Sequence, residues 1–247
     1  MKKTILLAAL MLSVCVAAQA RVIDRGLGDP RAVFIPKGNV AVGASFGYDR
    51  LAATGDDAGS GASVIGLVTG VKGNVNVFDA SLNGAWFFRD NMSVGIRLGY
   101  TNTGLDLDNA SLMSMLEMSN KHYMQEQLTA SLAARAYIPL FNSKVLALFA
   151  EGRLNGAFGY DKNFQNTERG KEGTFGNVTS LSLGIYPGVC VFVTDFVSFE
   201  LSLPLLEGGY EWIDQTTGRE HPAKMSRGFV HFKPGLLGIN LGIAFHF

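Results

Sequence analysis

Residues 237–247 read LGINLGIAFHF. Leu237, Ile239, Leu241, Ile243, Phe245 and Phe247 take every second position, and Gly238, Asn240, Gly242, Ala244 and His246 fill the gaps. Successive side chains of a β-strand point to opposite faces, so this stretch is a strand with one large apolar face and one small or polar face. A soluble edge strand would not require an aromatic in the final slot.

The same alternation recurs upstream. Val197, Phe199, Leu201 and Leu203 alternate with Ser198, Glu200, Ser202 and Pro204; Thr179, Leu181, Leu183 and Ile185 alternate with Ser180, Ser182, Gly184 and Tyr186. Leu146, Leu148, Ala150, Leu154 and Phe158 oppose Ala147, Glu151, Arg153 and Asn155, while Leu128, Ala130, Leu132, Ala134 and Ala136 oppose Gln127, Thr129, Ser131, Arg135 and Tyr137. Met92, Val94, Ile96, Leu98 and Tyr100 are set against Ser93, Arg97 and Thr101. Phe78, Ala80, Leu82, Trp86 and Phe88 are set against Asp79, Ser81 and Asn83, and the series begins with Val40, Val42, Ala44, Phe46 and Tyr48. The pattern predicts eight antiparallel strands. Tight turns fall at Arg89-Asp90-Asn91, at Pro139 to Ser143 and at Val193-Thr194-Asp195, all on one side. Long loops are expected on the other, at 50–73, 102–121, 161–174 and 207–228.

Composition decides what such strands are for. The 247 residues are 47% hydrophobic and only 17% charged, against about 25% in soluble domains. Beyond residue 20 the longest apolar run, Val145 to Ala150, has six residues, whereas a membrane-spanning helix needs roughly 20. Abundant apolar residues that are never contiguous fit a transmembrane β-barrel, in which every second side chain faces away from lipid. Short turns on one side and long loops on the other then read as periplasmic turns and extracellular loops. Aromatics support this. Trp86, Phe87, Phe88, Tyr137, Phe141, Phe196, Phe245 and Phe247 cluster at the turn end, and Phe46, Tyr48, Phe78, Tyr100, Phe158, Tyr160, Tyr210 and Trp212 at the other, as two membrane interfaces would select.

The N-terminus reads as an export signal: Lys2 and Lys3, an apolar core from Ile5 to Leu12, and Ala18-Gln19-Ala20 as the cleavage site. Cleavage would leave Arg21 first, with 19 basic against 21 acidic residues, a formal charge of about −2. Val14 before Cys15 departs from the lipoprotein pattern. No nucleic-acid-scale basic excess exists, and Cys190 would stand alone, excluding an intramolecular disulfide. The expected organisation is a signal peptide at 1–20, a periplasmic lead-in at 21–38 and a single barrel domain at 39–247. The lead-in, which contains RGLGDPRAVFIPKG at 25–38, is expected to lie in the periplasm or to tuck into the barrel mouth.

On these residues the chain resembles the small OmpA/OmpX-type, porin-family outer-membrane barrels of Gram-negative bacteria. The resemblance implies outer-membrane lipid and lipopolysaccharide as surroundings. It also marks Leu241, Ile243, Phe245 and Phe247 as the signature read by the barrel assembly machinery. It transfers no catalytic motif, and no cofactor is expected.

An eight-stranded barrel is only wide enough for its own side chains. The inward set holds Arg97, Arg135 and Arg153 against Asp79, Glu151 and Glu200, with Asn83 and Gln127 beside them. Unpaired, each buried charge would cost several kcal/mol, so a salt-bridged, non-conducting interior is expected. The function this supports is structural, adhesive or ligand-binding through the loops. In the last loop Tyr210, Trp212, Arg219, His221, Lys224 and Arg227 are surface-binding candidates for phosphate groups or an unknown extracellular ligand. Methionines and leucines between Ala110 and Asn120 have spacings compatible with helical turns, and Asp56 and Asp57 are too few for a calcium site, so no metal is expected. One alternative is a lipid A-modifying enzyme. His122 with Ser119, Glu117 and Glu126 is the nearest constellation, His221 and His231 stand apart, and no H-x-S pair exists. A narrow solute channel is the other, with ten strands if Val33 to Pro36 or Phe229 to Lys233 add two.

Overall fold

The structure, a computed structural model, describes residues 33–53, 72–112, 116–167, 170–217, 222–232 and 239–247. Ten antiparallel strands form one sheet: β1 (Val40–Ala53), β2 (Lys72–Arg89), β3 (Met92–Leu112), β4 (Leu116–Pro139), β5 (Leu146–Thr167), β6 (Gly170–Phe192), β7 (Val197–Ser202), β8 (Leu206–Thr217), β9 (Pro222–Phe232) and β10 (Asn240–His246). The count is ten where alternation predicts eight. Eight strands pair in a ring, β1 through β7 in order and then β10, which returns to β1. The ring is partial: β8 continues along β6 beyond β7, β9 pairs with β8, and β9 has no partner on its other edge among the described residues.

The start of β8 follows from one break. Pro204 has no N–H to give to a ladder, and the chain departs from strand geometry at 203–205. Leu203 N–H bonds the Pro187 carbonyl at 3.1 Å and Leu205 N–H bonds the Ile185 carbonyl at 3.0 Å, so the gap is stitched on both sides. Ser202 faces Gly188 and Leu206 faces Ile185, four steps against three, which is a one-residue bulge. A slip of one residue exchanges the faces of a strand. The outward residues are therefore odd-numbered in β7 (Phe199, Leu201) and even-numbered in β8 (Leu206, Tyr210, Trp212). Glu207 and Glu211 turn inward as a result.

The loops expected at 102–121, 161–174 and 207–228 are instead continuations of the strands. Leu112 faces Leu116, Thr167 faces Gly170 and Thr216 faces Pro222, so three long hairpins stand beyond the ring. The helical reading of Ala110 to Asn120 fails for the same reason, since Ala110 pairs with Met118 in a ladder. Val33 to Pro36 forms no strand, and Phe229 to Phe232 belongs to β9 rather than to a ninth stave of the ring. Of the loop at 50–73, residues 54–71 lie outside the described residues, as do the expected signal peptide and residues 21–32 of the lead-in.

The residues on the outward parity of the ring are apolar or glycine in most places, with large exposed side chains that include Leu82, Ile96, Leu98, Leu132, Leu154 and Leu183. Phe46, Tyr48, Phe78, Tyr100, Phe158, Tyr160, Tyr210 and Trp212 are all exposed toward the hairpin end; Trp86, Phe88, Phe141, Phe196 and Phe245 are exposed at the turn end. Phe87 and Tyr137, expected in the turn-end belt, are buried inside instead. Their odd positions put them on the same face as Asn83 and Arg135. At the C-terminus Leu241 and Phe245 are exposed on the outer face, with Ile243 between them. Val40 and Phe247 exchange backbone hydrogen bonds of 2.9 and 2.8 Å, which closes the ring.

Candidate functional site

The lumen is filled in layers, each built by inward-facing residues of several strands. At the turn end the filling is aromatic and comes partly from the lead-in. Phe34 and Ile35 are fully buried and cluster with Phe87, Tyr137, Ala147, Phe149, Cys190 and Phe192. The Phe34 ring lies 5.1 Å from Phe192 and 5.6 Å from Tyr137, centroid to centroid. The β2–β3 turn holds this plug in place. Ile35 N–H donates to Asn91 Oδ1 at 2.9 Å, Asn91 N–H donates back to the Ile35 carbonyl at 2.8 Å, and Lys37 N–H donates to Asp90 Oδ1 at 2.8 Å. Asn91 adopts a positive φ of 60°, a conformation asparagine tolerates well. Beside the plug His246 Nε2 lies 2.9 Å from Ser198 Oγ, both buried, and the thiol of Cys190 is enclosed.

Above the plug lies a layer of charge. Glu151 faces Arg135 directly across the β4–β5 ladder and receives its Nε at 2.6 Å; it also pairs with Arg153 and, at 3.7 Å, with Arg97. Arg135 spans the lumen, with Nη1 donating to Glu200 Oε1 on β7 at 2.7 Å and to the Tyr137 hydroxyl at 2.8 Å. Arg97 Nη1 donates to Ser81 Oγ at 2.6 Å and to Ser45 Oγ at 2.7 Å. Five charged side chains from β3, β4, β5 and β7 thus tie the walls together, leaving among them a cavity of about 20 Å³ lined also by Asn83, room for about one water. The Arg135 guanidinium lies 4.3 Å from the centre of the Phe149 ring and Arg153 lies 3.8 Å from that of Tyr186, so aromatic faces pack against two of the three guanidiniums.

Of the expected interior set, Arg97, Arg135, Glu151, Arg153 and Glu200 come together. Asp79 does not. It accepts a hydrogen bond from Thr101 at 2.9 Å instead. Gln127 lies on the same inward face, opposite Thr101 across the β3–β4 ladder. A third glutamate, hidden from parity reading by the bulge at Pro204, also enters the interior. Glu207 accepts from Ser182 at 2.6 Å and from Asn155 at 3.4 Å, and Asn155 also bonds the Tyr186 hydroxyl beneath Arg153. Pro204 was the available signal.

Toward the hairpin end a separate cluster forms from Tyr123 on β4, Asp161 on β5, Glu211 and Gln215 on β8 and Arg227 on β9. Arg227 Nε donates to Glu211 Oε2 at 2.6 Å. Burial raises the Asp161 carboxyl above its usual range, with the Glu211 charge adding to the shift. The Tyr123 phenol is pushed up to about 12, first by burial and then by the Asp161 carboxylate. Of the surface-binding candidates, Tyr210 and Trp212 are exposed neighbours, their rings 4.9 Å apart, and Lys224 is exposed. Arg227 is engaged by Glu211 rather than free, and Arg219 and His221 lie outside the described residues. No group of three or more metal-ligating side chains occurs among the described residues.

No protein-family model matches the chain, and no curated protein matches it. Among solved structures it is similar to the outer membrane protein OprG from Pseudomonas aeruginosa, at 12% identity and a TM-score of 0.43, over 87% of this chain and 99% of that one. It is similar to a major outer membrane protein from Thermus thermophilus, at 12% identity and a TM-score of 0.47, over 85% and 99% of the two chains. An outer membrane channel from Pseudomonas putida aligns at 12% identity and a TM-score of 0.32, over 90% and 99%.

Proposed function

We propose that this chain is an integral outer-membrane barrel whose interior is closed to solutes and whose three hairpins present a binding surface outside the cell, in a structural, adhesive or ligand-binding role. The observation that carries the reading is the pairing of two opposite faces on the same strands. The outer face is a continuous apolar wall bounded by aromatic rows, as lipid requires. The inner face is crossed by Arg135 from wall to wall and stopped by Phe34 and Ile35. Strands paired around a ring satisfy their backbone groups internally, the condition for crossing hydrocarbon. In this reading residues 1–20 direct export, the turns face the periplasm, and β10 with Leu241, Ile243, Phe245 and Phe247 is the segment read during assembly.

Leu132 tests it. Its side chain is 62% exposed, midway between the two aromatic rows. An exposed leucine in water can become arginine with a change within about 0.5 kcal/mol, whereas arginine on the lipid face near the midplane costs about 2–4 kcal/mol. Leu132→Arg is therefore expected to destabilise the protein folded into lipid vesicles by the larger amount, read from urea titration of the form that migrates differently unboiled and boiled. A protein with identical boiled and unboiled mobility, or an indifferent Leu132→Arg, would overturn the membrane reading.

A further inference from the structure

The arginine layer is short of negative charge. Arg97, Arg135 and Arg153 share the carboxylates of Glu151 and Glu200, three cations against two anions. Glu151 gives one oxygen to Arg135 and the other to Arg153, and Glu200 turns to Arg135. Arg97 is left with Ser45 and Ser81, which carry no charge, and with a carboxylate oxygen 3.7 Å away. Its Nε is buried and has no hydrogen-bond partner, and the same holds for Nη2 of Arg153. A buried donor without an acceptor is costly, the more so on a charged group. Glu207 and Asp79 stand outside this group, bonded to Ser182 and Asn155 and to Thr101. The sequence makes room beside Arg97. One inward step toward the turns, Ala85, Gly95 and Ala133 face each other across the β2–β3 and β3–β4 ladders, and these small residues line the cavity of about 20 Å³ together with Arg97.

We propose that this cavity binds one small monovalent anion, a halide of the size of chloride, against Arg97, Asn83 and Ser93. Asn83 faces Arg97 directly across the β2–β3 ladder and Ser93 faces Arg135 across the β3–β4 ladder, and both line the cavity. An amide and a hydroxyl therefore stand as donors beside the guanidinium. A halide accepts from all three and cancels the positive excess. A water would satisfy Arg97 Nε, yet it would bring donors of its own and leave the charge uncancelled. Glu151 and Glu200 also line the cavity, with their charge directed to the arginines that hold them. The volume, about that of one water, admits a monatomic ion and excludes sulfate, phosphate and organic acids. The proposal rests on the closed-interior reading and deepens it, since the anion supplies the third negative charge of the layer that spans the lumen.

The test refolds the full chain into detergent micelles and unfolds it with urea at constant ionic strength, sodium chloride replacing sodium gluconate, whose anion is too large for the cavity. Refolding in each salt lets the ion enter before the ring closes. Chloride is expected to stabilise the heat-modifiable form. Above half-saturation, each tenfold rise in chloride should shift the unfolding equilibrium about tenfold toward the folded form. Arg97→Met removes the unpartnered donor and the excess charge, while Ala133→Val keeps every charge and fills the cavity. Both variants are expected to lose the chloride dependence. Crystals grown in sodium bromide are expected to show an anomalous scattering peak beside Arg97 Nε. Equal stability in chloride and gluconate, a chloride dependence that survives in either variant, or a water in place of the bromide peak would overturn the proposal. Failure of the closed interior would show as conductance in a bilayer, and failure of this site as chloride-independent stability with the baseline still flat.

Discussion

Replacing Glu151 by glutamine is expected to be the most damaging single change in the lumen. Glu151 accepts from Arg135 at 2.6 Å, pairs with Arg153 and stands 3.7 Å from Arg97. With the charge gone, Arg135 keeps Glu200, while Arg97 and Arg153 lose the carboxylate they pair with. Removing one partner of a buried pair costs about 3–5 kcal/mol, because the other charge stays behind unpaired. Glu151→Gln should lower stability by that amount in urea titrations of the folded, vesicle-inserted protein. Adding Arg153→Met removes one uncompensated cation and should restore part of the loss, since the two sites share a partner and are not additive. A loss below about 1 kcal/mol for Glu151→Gln would mean that the pairs seen here do not hold the ring.

Phe34→Ala is expected to cost nearly as much, about 3–5 kcal/mol, the range for deleting a fully buried aromatic ring. Phe34 is fully buried against Phe192 and Tyr137 although it precedes the first strand. The loss combines the transfer of the ring with the cavity left at the turn end, which the barrel walls cannot collapse to fill. A change within about 0.5 kcal/mol would mean that the lead-in does not dock in the folded protein. Even with the plug weakened, the Arg135 span remains, so Phe34→Ala alone is expected to stay non-conducting. The plug and the arginine layer are two closures in series.

The outward face was fully legible in the sequence, because lipid demands an apolar residue at every second position and nothing else in the chain imitates that rhythm. The charged layer was legible for the complementary reason: Arg97, Arg135, Glu151, Arg153 and Glu200 all fall on the opposite parity. What alternation could not deliver has physical causes of its own. An aromatic side chain is as welcome in a packed lumen as at an interface, so Phe87 and Tyr137 read as belt residues, and Phe149 and Phe192 were passed over, although position alone turned all four inward. The lead-in contributes Phe34 and Ile35 without being a strand, so no period announced them. The bulge at Pro204 reversed parity for the next strand and hid Glu207 and Glu211. Beyond the aromatic row both faces of a strand meet water, as in Asn102-Thr103-Gly104, and alternation ends where pairing does not. Segments that looked like loops are paired hairpins.

The central claim is that this barrel crosses a membrane without conducting through it. Single-channel recording of the purified, heat-modifiable protein in planar lipid bilayers tests that directly. The filled lumen predicts a flat baseline, for the native chain and for Phe34→Ala alike. Steady conductance of porin size from the native chain would contradict the account, because the Arg135–Glu151–Glu200 span and the Phe34 plug could not both be in place while ions passed.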